Sequence, residues 1–169
     1  MTTMKKFSLF GLLALLFFCT ACPYQSPVPV DEPNQPVKEE WLGRWKVDVA
    51  GKDFYEISKA DENIYQIVEH THKIEGAVER KTYVAHTSSI GDLTFLNVKM
   101  TRQGTNPVPN ADFLIFKLQS ANGNKITLLP VTENVREKFD NSAALRNFIQ
   151  ENDKLSFFYE KETVYTKVN

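Results

Sequence analysis

Phe113-Leu114-Ile115-Phe116-Lys117-Leu118-Gln119-Ser120-Ala121-Asn122-Gly123-Asn124-Lys125-Ile126-Thr127-Leu128-Leu129-Pro130-Val131 decides the fold. Residues 113–120 form the most apolar run of the folded region, and residues 125–131 form its partner. Between them stands Asn122-Gly123, whose two residues tolerate the positive φ of a type I′ turn, the turn whose twist suits paired strands. The stretch predicts an antiparallel hairpin.

Upstream the same alternation recurs in short runs broken by turn residues. Trp45, Val47 and Val49 alternate with Arg44, Lys46 and Asp48, and Ala50-Gly51-Lys52-Asp53 follows as a turn. Further runs cover 54–58, 64–72, 78–86 and 93–100. The last is apolar on Leu96, Val98 and Met100 and mixed on Leu93, Phe95, Asn97 and Lys99. Residues 101–112, with Gly104, Pro107 and Pro109, read as a long loop of the kind often used for function. Downstream the period changes. Val135 and Phe139, then Leu145, Phe148 and Ile149, stand at helical spacing within 134–152, with Ser142 as the expected N-cap. A final aromatic run, 155–168, follows.

The expected fold class is therefore mainly β: an antiparallel meander of about eight strands closing into a barrel, with one short helix before the last strand. Closure hides the edges that an open meander would expose. Nine large residues, Trp45, Phe54, Tyr65, Tyr83, Phe95, Phe113, Phe116, Phe148 and Phe158, are enough to fill an eight-stranded barrel. If the interior is filled, the barrel acts through its surface; if not, it holds a ligand.

The chain ahead of this domain divides in two. Lys5-Lys6, the apolar run 7–18 and small residues before Cys22 have the layout of a secretory signal over residues 1–21. As a helix the 12-residue run spans about 18 Å, short of the roughly 30 Å hydrocarbon core of a bilayer. Residues 22–40 follow as a tether before the domain at 41–169. Five of the eight prolines lie there, and they predict an extended, semi-rigid spacer. At about 3.1 Å per residue it reaches about 55 Å. Asp31 and Glu32 within it read as solubilising charge.

The 169 residues carry 20 basic and 21 acidic side chains. Removal of the signal takes away Lys5 and Lys6 and no acid, lowering the net charge from −1 to −3. No basic excess points to nucleic acid. Cys19 falls in the signal, so Cys22 has no intramolecular partner for a disulfide.

Thr20-Ala21-Cys22 after the apolar run resembles the lipobox of bacterial lipoproteins. That resemblance implies cleavage after Ala21 and acyl chains on Cys22. Ordinary secretion would cut the same bond and leave a free thiol. Trp41-Leu42-Gly43-Arg44-Trp45 resembles the Gly-x-Trp first strand of lipocalins, in which the Trp plugs the closed barrel end. The arginine that closes over that Trp in lipocalins has no clear counterpart here; Lys167 is the only cation near the end of the chain. Together with the proline-rich segment, the run 126–131 and the helix-plus-aromatic-strand ending, the chain is similar to small lipocalin-like lipoproteins of Bacteroidetes. The resemblance implies an envelope location, anchored by lipid to the outer membrane, and assigns no activity.

No serine elbow, phosphate loop or zinc-protease helix is present, so no residue is given a catalytic role and no cofactor is implied. His70 and His72 share a strand face, and with His86 they form the one metal-ligand candidate, provided the register brings His86 opposite. Leu145, Phe148 and Ile149 are the candidate ligand-binding residues, on a helix placed as a lid or plug over the barrel mouth. The expected function is non-catalytic binding: a small apolar ligand, or else an envelope protein or glycan.

Overall fold

The computed structural model describes residues 23–168. Eight strands form the barrel: β1 (Gly43–Lys46), β2 (Phe54–Asp61), β3 (Ile64–His72), β4 (Val78–Ile90), β5 (Leu93–Gln103), β6 (Phe113–Asn122), β7 (Lys125–Pro130) and β8 (Thr163–Val168). Each pairs antiparallel with the next, and β8 returns to β1 with Lys167 opposite Trp45. The barrel is closed. Its one α-helix among the described residues, α1 (Ser142–Asn152), lies between β7 and β8. None of the helices described is long and apolar enough to cross a membrane.

The two barrel ends differ. At one, tight turns at 62–63, 91–92 and 123–124 join the strands; at the other stand the longer connections 47–53, 73–77, 104–112 and 131–162. The tight-turn end is also where the chain enters, through a 3-10 turn at Glu39–Trp41.

Strand parity sorts the apolar residues into two cores, because alternate side chains leave a strand on opposite faces. Inside the barrel lie Trp41, Trp45, Tyr65, Ala85, Val98 and Leu128, with Leu96, Leu114 and Phe116 beside them. The intervening residues Phe95 and Ile115 point outward into a second core with Tyr24, Val30, Leu145, Ile149 and Phe158. The helix therefore packs on the outside of the barrel wall. This corrects its expected place as a lid over the mouth: Leu145 and Ile149 are buried against the outer wall, and Phe148 packs there against Phe139 and Phe158.

The expected spacer is also corrected. Residues 23–38 form no helix and only a two-residue strand, yet they lie along the barrel as a strap that bends repeatedly between 27 and 35. Gln25–Ser26 pairs with β6, and the Tyr24 amide donates to the Val131 carbonyl at 2.9 Å. Val30 donates to Asn97 Oδ1 at 2.7 Å, and Ser142 Oγ donates to the Pro29 carbonyl at 2.8 Å. Asp31 is paired with Arg146 at 2.9 Å rather than left as free charge. Proline removes donors and keeps a chain extended; here those properties suit a strap whose Tyr24 and Val30 cover the outer apolar face.

Three local expectations also change. Val47 and Val49 leave the sheet and are 51% and 57% exposed, because Asp48 starts a turn: Ala50 donates to its side chain and Gly51 to its carbonyl. Gly123 and its neighbours lack positive φ, so the hairpin turn is not type I′. Instead the amides of Asn124 and Lys125 both donate to Asn122 Oδ1. The helix begins at Ser142, with Asn141 as its cap; Val135 and Phe139 pack on the outer core from an irregular segment.

Candidate functional site

The barrel is not filled. Five of the nine large residues, Phe54, Phe95, Phe113, Phe148 and Phe158, serve the outer surface or the outer core, and of these Phe95 also borders the interior space. Phe54 stacks on His70 and lies under the Arg44 guanidinium. What remains inside leaves a cavity of about 430 Å³, within the size range of small-molecule sites.

Its floor is built by the entry segment. Trp45 is 1% exposed, and its indole N–H donates to the Trp41 carbonyl at 2.8 Å. Trp41 stacks on Tyr65, whose hydroxyl accepts from the Lys38 amide. Lys167 Nζ stands 5.6 Å from the Trp45 ring centre and donates to the Glu40 carbonyl. Gly43 makes this possible: its φ is +119°, and a Cβ there would come within 3.2 Å of Lys167 Cε.

The walls are aliphatic and aromatic: Ile57, Ile67, Leu96, Leu114, Phe116 and Leu118. Toward the other end the lining turns polar. Tyr55, Glu69 and Lys81 stand in one row across β2, β3 and β4. The Tyr83 hydroxyl donates to Glu69 Oε2 at 2.7 Å, and Tyr165 meets Tyr55 edge to face. Lys81 Nζ is 4.0 Å from the same carboxylate oxygen, beyond hydrogen-bond reach. Burial, Tyr165 and Glu69 push the Tyr55 phenol up; burial and its bond to Glu69 do the same for Tyr83. Burial and Glu69 push Tyr165 up to about 12. All three phenols therefore stay protonated at neutral pH. The arrangement accommodates a molecule with an apolar body and a polar end, the body against the aliphatic walls and the end among three hydroxyls, a carboxylate and an ammonium.

None of the six candidate ligand- or metal-binding residues, Leu145, Phe148, Ile149, His70, His72 and His86, lines this cavity, whereas Trp45 does. Leu145, Phe148 and Ile149 close a tightly packed outer core. The register sets Arg80 opposite His70 and Val78 opposite His72, so His86 does not join them. His70 Nε2 is buried without a hydrogen-bond partner, and burial and Arg80 lower its pKa, so it is a poor cation for Glu56 at 3.7 Å. His72 Nδ1 faces Asp53 at 3.3 Å. His86 faces outward and donates from Nε2 to the Asp31 carbonyl at 2.7 Å. No group of three metal-ligating side chains occurs among the described residues. Cys22 lies outside the described residues.

The cavity's polar row was available as a signal of parity. Glu69 shares a face with Tyr65 and Ile67, and Lys81 shares one with Tyr83 and Ala85. Charged residues in step with an apolar face mark either a barrel mouth or a site. Family models, curated proteins and solved structures contain no match to this chain.

Proposed function

We propose that this chain is a lipid-anchored bacterial envelope protein, held to the outer membrane through an acylated Cys22, that carries a small apolar molecule with one polar end in its barrel. The cavity carries the reading: an apolar interior with a few convergent polar groups at one end is the usual form of a small-molecule site. Gly43-Arg44-Trp45 on the first strand, with Trp45 buried at the cavity floor, supports kinship with lipocalin-like lipoproteins, and Thr20-Ala21-Cys22 supports the anchor.

The test takes protein purified from its native host. Solvent extraction should release a co-purifying hydrophobic molecule, and the emptied protein should bind an environment-sensitive apolar dye saturably. Leu114→Trp, which puts an indole into the cavity, should abolish dye binding and leave the β-type circular dichroism unchanged. Absence of both extractable ligand and saturable binding would instead favour a surface module for an envelope protein or glycan. Mass spectrometry of the N-terminal peptide should find Cys22 acylated.

A further inference from the structure

We propose that the open mouth of the barrel docks directly on the lipid bilayer, so that the cavity opens toward the membrane. This rests on the acylated Cys22 of the proposed function and adds an orientation to it.

The first observation is where the strap begins. Tyr24 is 3% exposed and held by two hydrogen bonds, its amide to Val131 and its hydroxyl to the Glu137 carbonyl. Gln25 pairs with Leu114 and Ser26 with Phe113, at the start of β6 and just past the end of β7. That is the long-loop end of the barrel. Pro23 itself lines the cavity. The described chain therefore starts at the mouth, and the strap from Tyr24 onward is folded down rather than left as a spacer, so an anchor carried just ahead of Pro23 would tether this end of the barrel.

The second observation is independent of the anchor. The connections at this end present apolar side chains to solvent: Val47 and Val49 from 47–53, and a fully exposed Ile74 from 73–77. Tyr55 borders both the cavity and the groove between these two connections. The tight turns at the opposite end are Glu62-Asn63, Gly91-Asp92 and Gly123-Asn124, with no apolar side chain among them. Exposed apolar residues gathered at one end beside a cavity mark a contact surface. Their chemistry names the partner. Lys52 and Lys73 are offset by Asp48, Asp53 and Glu75 on the same connections, so the rim has no excess of cations for acidic headgroups. The occupant is the apolar boundary of the bilayer, entered by Val47, Val49 and Ile74, with the acyl chains inserted alongside.

The test uses the full-length processed protein, purified from membranes and reconstituted into phosphatidylcholine vesicles. Ile74→Cys and Asn124→Cys variants are labelled with an environment-sensitive fluorophore, and spin-labelled phospholipid is added as quencher. Quenching should be several-fold stronger at position 74 than at 124, and insensitive to salt. In unlabelled protein, amide exchange at 47–53 and 73–77 should slow several-fold on the vesicles relative to detergent, with 123–124 unchanged. An acylated N-terminal peptide with equal quenching at both positions and no protection of the rim would overturn the orientation and leave the anchor standing. Stronger quenching at 124 would do the same. An unmodified Cys22 would overturn both.

Discussion

Trp45 shows how much one side chain can hold together. It closes the floor of the cavity, donates to Trp41, lies under Lys167 and pairs across the β1–β8 seam. Trp45→Ala should cost about 3–5 kcal/mol, the range for deleting a buried large aromatic, read as a shift in the denaturant midpoint. Asn97 does the same for the outer core. It is fully buried, accepts from Val30 and donates to Ser88 Oγ at 2.8 Å. Asn97→Leu leaves the Val30 amide without its acceptor, and about 1–3 kcal/mol should be lost. Limited proteolysis should then cut within residues 23–37 before it cuts the barrel.

At the scale of elements, the strap and β4 share a titratable contact. Burial lowers the pKa of His86 from 6.5, against the opposing pull of its bond to Asp31 and of the Glu32 and Asp31 charges. A depressed pKa means that the unfolded chain takes the proton first as the pH falls. The His86 contribution is therefore whole above 6.5 and declines below it, until the folded-state pKa is passed. His70 is shifted the same way, by burial and Arg80. Urea melts between about pH 7 and pH 5 should show falling stability, and His86→Gln should flatten part of that slope, with His70 supplying the rest. The strands themselves were readable, because period-two alternation is a local property. The run 64–72 coincides with β3. The strap was misread because its partners, Asn97, Ser142 and Arg146, are distant in sequence, and proline-rich composition describes a free chain and a docked one equally well. The mixed face of β5 had a cause invisible to parity: Phe95 and Asn97 face a core completed by residues more than forty positions away.

For the whole molecule, two cores share one wall, since β4, β5 and β6 contribute residues to both. Unfolding should therefore be a single transition. Tryptophan fluorescence reports the inner core through Trp41 and Trp45, and helical circular dichroism reports α1 on the outer one. The two curves should coincide; separated midpoints would show that the layers melt independently. The cavity belongs to this scale as well. Residue volumes summed along the chain allow a filled barrel as well as a hollow one, and the placement of Phe54, Phe113, Phe148 and Phe158 outside, with Phe95 set between the outer core and the cavity, decides for the space within. The seam between β1 and β8 sets the order of events in time. Trp45 emerges from a ribosome early and Lys167 more than a hundred residues later, yet they are neighbours across the closure. Contacts so far apart in sequence slow the search for the native state. The newborn chain stays open, and open to chaperones, until β8 arrives to shut the ring.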